Sequence, residues 1–236
     1  MSTIAPVLVT GNLLLARLSA EDAAEFEPHL ERHALAQGDV IVAAGDDFTH
    51  AWFPDTAVLS VINKLSDGSG VEIGTIGNEG FVGIGAMLDA PTSLHLTGAQ
   101  IPGMAHRLPV SILMELRANS DSLRRALNQY TCSFLGQVSQ TAACNARHDI
   151  EQRCARWLLM CHDRVGDTDT FRLKHEYLAI MLGVRRTGVT IAAGALQARG
   201  LIRYRRGIIR ILDRAGLEAR ACECYQVVRD QFLTFA

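Results

Sequence analysis

The spacing of apolar side chains changes character twice along the 236 residues. Between about residues 33 and 108, short β-like runs are broken by glycine-bearing turns. Residues 40–42, 57–62, 71–73 and 94–97 predict strands, and Gly38-Asp39, Gly45-Asp46, Asp67-Gly68 and Gly77-Asn78 predict the turns between them. Many short strands at this spacing imply a sandwich, a jelly roll or a barrel. Upstream, Ser19-Ala-Glu-Asp22 has the form of a capping box, with Asp in place of the usual Glu or Gln, opening a helix toward Leu30.

After Pro109 the glycines nearly vanish and the period becomes helical. Leu123, Leu127, Tyr130, Phe134, Val138, Thr141 and Asn145 recur at intervals of three and four, a coiled-coil-like seam. Such a seam serves either an intramolecular core or a dimer, and dimerisation is the favoured reading. A second helix over residues 149–165 puts Ile150, Cys154, Trp157, Leu158 and Cys161 on one face. The polar run 166–170 then leads into a small separate domain.

In that domain, residues 173–182 place Leu178, Met181 and Leu182 on one face of a short helix, and small Ala179 lets a second helix cross closely. Gly183 supplies a tight turn and Val184 anchors it. Residues 186–198 form the second helix, with Val189, Ala193 and Leu196 inward. Its other face shows Arg185, Arg186, Thr187, Thr190 and Ile191, concentrated at the N-terminal end. That is where a recognition helix meets the major groove. An arginine fork spans guanine O6 and N7, and threonine offers a hydroxyl or a methyl. Gly200 ends the helix, and residues 201–212 alternate around Arg206-Gly207 as a hairpin, a wing. Arg205 and Arg206 at its tip would reach phosphates, which carry affinity without reading sequence.

Charge sharpens this picture. The net charge of −2 conceals 7 Lys/Arg against 15 Asp/Glu in residues 1–146, and 16 against 10 in residues 147–236. Residues 172–214 hold ten Lys/Arg and only Glu176 and Asp213 as acids, which points to a polyanion partner for one half of the chain. Hydrophobic residues at 48% and charged residues at 20% suit packed cores rather than disorder. No apolar run reaches the ~18 residues of a membrane helix, and no basic n-region precedes the burst at Leu13 to Leu15. A cytoplasmic location away from membranes is therefore expected. The six cysteines lack C-x2-C spacing and read as reduced thiols.

These residues resemble the Crp/Fnr family, regulators of the cyclic-AMP receptor and fumarate-nitrate-reduction type. The resemblance spans nearly the whole chain. Asp46-Asp-Phe-Thr-His-Ala-Trp-Phe-Pro54, Leu65-Ser-Asp-Gly-Ser-Gly-Val-Glu72 and Ile76-Gly-Asn-Glu-Gly-Phe-Val-Gly83 look like its β-roll. Leu178-Ala-Ile-Met-Leu-Gly-Val-Arg-Arg-Thr-Gly-Val-Thr190 looks like its helix-turn-helix. The resemblance implies an α+β chain: a double-stranded β-helix (jelly-roll) sensor domain of cyclic-nucleotide-binding type over 1–118, a dimerisation helix over 119–146, and a winged helix-turn-helix over 147–236. It implies a homodimeric, sequence-specific transcription regulator with double-stranded DNA and RNA polymerase as partners. The dimer interface would use Leu123, Leu127, Tyr130, Phe134, Val138 and Thr141. Lys174 and His175, which begin the first helix of the motif where a threonine and a polar residue often stand, join the DNA-facing set.

The departures matter as much. Family members that bind cyclic nucleotides hold the ribose with a glutamate just after the glycine of a Phe-x-Gly segment, and the phosphate with an Arg-Ser or Arg-Thr pair. Here Phe81-Val-Gly83 is followed by Ile84, and the later pair reads Thr92-Ser93. An effector pocket is thus expected at Phe81, Gly83, Ile84, Thr92 and Ser93 without its charges. A phosphate diester there forfeits a charge-assisted bond worth about 1.5–3 kcal/mol, so cyclic AMP is not the expected effector. The iron-sulfur branch uses clustered N-terminal cysteines, whereas the first cysteine here is Cys132, so no such cluster is expected. Arg186-Thr187 stands where Arg-Glu is common, and Ile191 where arginine is common, which implies a changed operator.

Weaker signals complete the reading. Cys222-Glu-Cys224, taken as helical, points its thiols about 200° apart, so no metal site is expected. His50, His95 and His106 are single histidines in the β region, without the His-x-His of a cupin-like site. No Gly-x-Ser-x-Gly, P-loop or His-Glu-x-x-His is present, so no catalytic residues and no cofactor are expected. Two other functions stand behind the main one. One is a cysteine-based redox regulator on the same frame; the other is a metal-dependent β-barrel enzyme with a basic appendage.

Overall fold

The computed structural model describes residues 10–90, 92–166 and 168–233. Two compact units emerge: residues 10–59 with 76–132, and residues 60–75 with 133–233. Asp167, within the polar run expected at 166–170, lies outside the described residues.

In chain order the first elements are α1 (Ala20–Phe26), β1 (Glu31–Leu35), β2 (Val40–Val42), β3 (His50–Pro54), β4 (Val58–Lys64) and β5 (Gly70–Ile76). A short α2 (Ile84–Met87), β6 (Leu96–Ile101), β7 (Gly103–Pro109), α3 (Val110–Asn119) and the long α4 (Asp121–Arg147) follow. Ser19 caps α1 by accepting the Asp22 N–H at 3.1 Å, as the sequence implied. The strands form sheets of order β1-β7-β3 and β2-β6-β4-β5, a jelly-roll-like arrangement. β3 pairs antiparallel with β7, setting Phe53 opposite His106, and β1 pairs with the other edge of β7.

Inside the first unit Phe53 stacks on Phe81 at 5.6 Å, Phe26 meets Phe53 edge-on at 6.3 Å, and Tyr130 tilts against Phe81 at 5.4 Å. Gly80 makes the last approach possible, since a Cβ there would lie 2.1 Å from the Tyr130 ring. Asn12, fully buried, donates to the Pro54 and Gly80 carbonyls at 2.8 and 2.9 Å and accepts the Leu15 N–H at 3.1 Å. All the amide's bonding directions but one are thereby used. Asp55 accepts from Thr10 and Gly11 and faces His106 at 3.2 Å.

The expected strand at 94–97 begins two residues later, at Leu96, because Leu94 points outward and is 77% exposed. Strands β1, β3 and β7 add to the strands that the apolar runs predict.

The second unit is built around α5 (Ile150–His162), which opens with a complete capping box between Asp149 and Gln152. Every residue from 154 to 161 is buried, so this is a central helix rather than a one-faced one. Around it come β8 (Thr170–Arg172), α6 (His175–Leu182), α7 (Arg186–Ala198), β9 (Ile202–Arg205), β10 (Ile208–Ile211), α8 (Arg214–Arg220) and α9 (Cys224–Leu233). β8, β10 and β9 form an antiparallel sheet in that order.

The seam on α4 faces inward along most of its length. Leu123, Leu127, Tyr130 and Thr141 are buried within a single chain. Phe134 and Val138 lie over Gly74, where a Cβ would come within 2.8 Å of the Phe134 ring. Gln137 clamps the Thr75 backbone, accepting its N–H at 3.1 Å and donating to its carbonyl at 3.0 Å. Leu123, Leu127, Tyr130 and Thr141, expected at a dimer interface, are thus already packed inside their own chain. Among the described residues no single helix is long and apolar enough to cross a membrane.

Candidate nucleic-acid interface

Helices α6 and α7 meet at 98°, the crossing of a helix-turn-helix. Leu178, Met181 and Leu182 from α6, and Val189, Ala193 and Leu196 from α7, are all buried, as their periodicity requires. Gly183 takes left-handed backbone (φ 59°, ψ 39°) and ends α6, while Val184 N–H reaches back to Ala179 at 3.0 Å. Arg153 on α5 donates to the Leu182 carbonyl and so satisfies the end of α6. Gly188 permits close packing of α7, since a Cβ there would stand 3.0 Å from Ile150.

With the inner face sealed, Arg185, Arg186, Thr187, Thr190 and Ile191 are left exposed together at the first two turns of α7. Ile191 is 69% exposed, an apolar side chain offered to solvent on a basic surface. Arg186 bonds Glu176 of α6 at 2.9 Å, and Lys174 approaches the same carboxylate at 3.9 Å. At the other end, Glu151 of α5 accepts from Arg199 at 3.0 Å and from Arg220 at 2.6 Å, which fixes where α7 finishes. The bond from Arg220 outweighs the effect of burial and holds the Glu151 carboxyl below its usual range.

The wing is β9 and β10, with Ile208 opposite Arg205. Arg206 and Gly207 form its two-residue turn with φ of 52° and 75°, the positive pair that a type I′ hairpin requires. Tyr204 braces it, donating its hydroxyl to the Leu173 carbonyl at 2.8 Å and tilting its ring against His175 at 4.7 Å. Lys174, His175, Tyr204, Arg206 and Gly207 line a cleft of about 560 Å³. Lys174 is the N-cap of α6, so the cleft lies at that helix's N-terminal end, with the cations Lys174 and Arg206 in its lining. The nine side chains expected to face DNA thus lie along α6, α7 and the wing of this one unit.

This geometry defines a winged helix-turn-helix protein with a jelly-roll partner domain. Residues 152–220 match the Crp-like helix-turn-helix domain family. Among solved structures, a CRP-family transcriptional regulator from Thermus thermophilus is similar at 20% identity and a TM-score of 0.67, over 81% of this chain and 96% of that one. FixK2 from Bradyrhizobium japonicum is similar at 16% identity and 0.66, over 82% and 98%. CLP from Xanthomonas campestris, described as a c-di-GMP-responsive global regulator, is similar at 19% and 0.65, over 82% and 99%. Among curated protein sequences none matches. The chain has the fold of the Crp/Fnr transcription regulators and carries their Crp-like helix-turn-helix domain.

The residues expected around an effector are placed by several different parts of the β-roll. Phe81 belongs to the aromatic core, and Gly83 (φ 138°) is the N-cap of α2, with Ile84 as its first residue. Thr92 bridges to Asp47 in the β-roll, while Ser93 is buried and its hydroxyl donates to the His95 carbonyl at 2.8 Å. The cleft nearby is lined by Ile41, Val42, Gly45, Asp46, Asp47 and Thr49, and its charges are acidic.

One constellation escaped the sequence reading. Cys144, His148, Cys222 and Cys224 come together in the second unit, each ligand atom within 4.8 Å of the others. The expectation that Cys222 and Cys224 diverge assumed a helix through both. In fact α8 ends at Arg220 and α9 starts at Cys224, so Cys222 lies in the link between them. The paired spacings C-x3-H and C-x-C were the available signal. Cys154 and Cys161 stand apart from this group, and burial pushes both thiols up, Cys154 to about 12.

Proposed function

We propose that the chain is a homodimeric, sequence-specific transcription regulator that lays α7 in the major groove and the wing along the flanking backbone. The observation that carries this reading is the exposed set Arg185, Arg186, Thr187, Thr190 and Ile191 at the start of a helix whose other face is sealed. Arginine suits guanine, threonine and isoleucine suit the thymine methyl, and Arg205 and Arg206 suit phosphate. RNA polymerase enters as a partner through the family likeness.

The dimer forms through a different stripe of α4 from the one first expected. Cys132, Leu135, Ser139, Ala142 and Ala146 are exposed at helical spacing, with Leu135 at 59%. Small residues on either side of Leu135 let a second copy of the helix approach closely.

Cyclic AMP is not the effector. The positions that hold ribose and phosphate in cyclic-nucleotide-binding relatives carry Ile84 and Thr92, and the adjoining cleft presents Asp46 and Asp47, which repel a phosphate. The test is to recover the DNA sequences the full chain selects from a random pool. An inverted repeat with half-sites about one helical turn apart is expected for a two-fold dimer. Uniform binding to all sequences, or none, would overturn the reading.

A further inference from the structure

Cys144 and His148 lie one turn apart at the end of α4, and the His148 N–H still donates to the Cys144 carbonyl at 3.0 Å. Both side chains therefore leave the same face. The link between α8 and α9 brings Cys222 to that face, and the first residue of α9 brings Cys224. Cys144 Sγ is 3.5 Å from Cys222 Sγ, and Cys224 Sγ is 3.5 Å from His148 Nδ1. A tetrahedral zinc ion, with bonds of about 2.3 Å to sulfur and 2.0–2.1 Å to nitrogen, separates its ligand atoms by roughly 3.4–3.8 Å. Iron-sulfur clusters spread their cysteine sulfurs wider around several metal atoms.

We propose that Cys144, His148, Cys222 and Cys224 form a closed, mononuclear zinc site within the DNA-binding unit. Three features around the four ligands support it. The other ring nitrogen of His148, Nε2, faces the Glu223 carboxylate at 3.2 Å. That is the carboxylate–histidine pairing that orients a metal-binding imidazole through Nδ1. Gln140 Nε2 donates to Cys224 Sγ at 2.9 Å, a bond that suits a thiolate.

The third feature is charge. Arg156 is fully buried beside Cys144, bonded to Thr141 at 3.0 Å, with its guanidinium also 5.2 Å from the Trp157 ring. Its Nε and Nη1 have no hydrogen-bond partner among the described residues, and neither does Nε of the neighbouring Arg153. A buried cation needs a compensating anion. Three thiolates around a divalent ion carry one net negative charge and supply it. On binding, any protonated thiols release their protons to solvent, and no oxidant or reductant is consumed. The ion ties Cys144 of α4 to Cys222 before α9, positions 78 apart in sequence that bracket the whole helix-turn-helix and wing.

The test uses the full chain purified under reducing conditions, with metal measured by mass spectrometry. One zinc per chain is expected. The Cys222→Ser/Cys224→Ser variant should lose it, and Cys132→Ser, an exposed cysteine outside the cluster, should keep it. Cobalt(II) exchanged into the site should show tetrahedral ligand-field bands and thiolate-to-cobalt charge transfer. Because the double variant can fail by misfolding, Glu223→Gln supplies an independent reading: it retains all four ligands, and zinc affinity against a chromogenic chelator should fall about 10–100-fold with circular dichroism unchanged. A folded chain that neither retains nor takes up zinc would overturn the proposal. So would an iron-sulfur chromophore, or a Cys144–Cys222 disulfide in place of the ion.

Discussion

Arg186 projects from the first turn of α7 with its side chain 70% exposed, yet its guanidinium is bonded to Glu176. An exposed pair of this kind is worth about 0–1 kcal/mol, so guanine can displace the carboxylate. Arg186→Ala is expected to cost about 1–3 kcal/mol on the selected operator and to relax preference at one base pair per half-site. Titrations on operator and scrambled DNA check it; an equal loss on both would make Arg186 a phosphate contact instead. At Gly194, on the outer face of α7, an added Cβ meets nothing within 4 Å. Gly194→Ala should therefore raise stability by about 0.5–1 kcal/mol, read as a higher denaturant midpoint. Asp55 is a different case. Burial alone would raise its pKa, but bonds from His106, Thr10 and the Gly11 N–H outweigh that and hold the carboxyl below its usual range. A depressed carboxylate contributes stability that is present above its unfolded value and lost as pH falls through the folded one. The melting-temperature gap between the parent chain and Asp55→Asn should be open at neutral pH and close in acid. A gap that persisted below that range would show that the asparagine disturbs packing rather than charge.

At the level of elements, the wing and the long helix separate clearly. Arg205→Ala or Arg206→Ala should weaken binding to all sequences alike and reduce the log–log salt slope by about one unit per lost contact in each protomer. A change in base preference would move the wing from backbone to base contact. On α4, Leu135→Glu with Ala142→Glu should give a monomer by sedimentation, because both lie on the exposed stripe. Leu127→Glu should instead destabilise the first unit, since its side chain is fully buried. A dimer that survived the double change would exclude the stripe. The two sets could not be told apart from spacing alone, because both repeat at three and four on the same helix. Helices α6 and α7 were legible because Gly183 and Gly200 punctuate a strong apolar period. β1 was not, because Glu31-Arg-His-Ala-Leu35 is an edge strand held by backbone pairing with β7, its side chains mostly outside.

The whole molecule divides its chemistry as its charge divides: acidic carboxylates line the β-roll cleft, and the basic groups gather on the helix-turn-helix and wing. Saturating cyclic AMP is accordingly expected to leave both melting temperature and DNA affinity unchanged. A bound ligand at a hundredfold excess over Kd would add about 2.7 kcal/mol and could not be missed. The residues proposed to face DNA were readable as a group in sequence because they are neighbours on two consecutive helices and a hairpin. The thiol-imidazole cluster was not, since its halves stand 78 residues apart and only the tertiary fold joins them. The partner of the Phe81 ring, Phe53, was not legible either, because it stands 28 residues away on β3. The burial of α5 on every side has a consequence in time rather than space. Its backbone amides can meet solvent only when the second unit opens as a whole, whereas those of the wing are freed by local opening. Deuterium should therefore enter β9 and β10 early and α5 last, so that the wing hairpin breathes around a helix that does not.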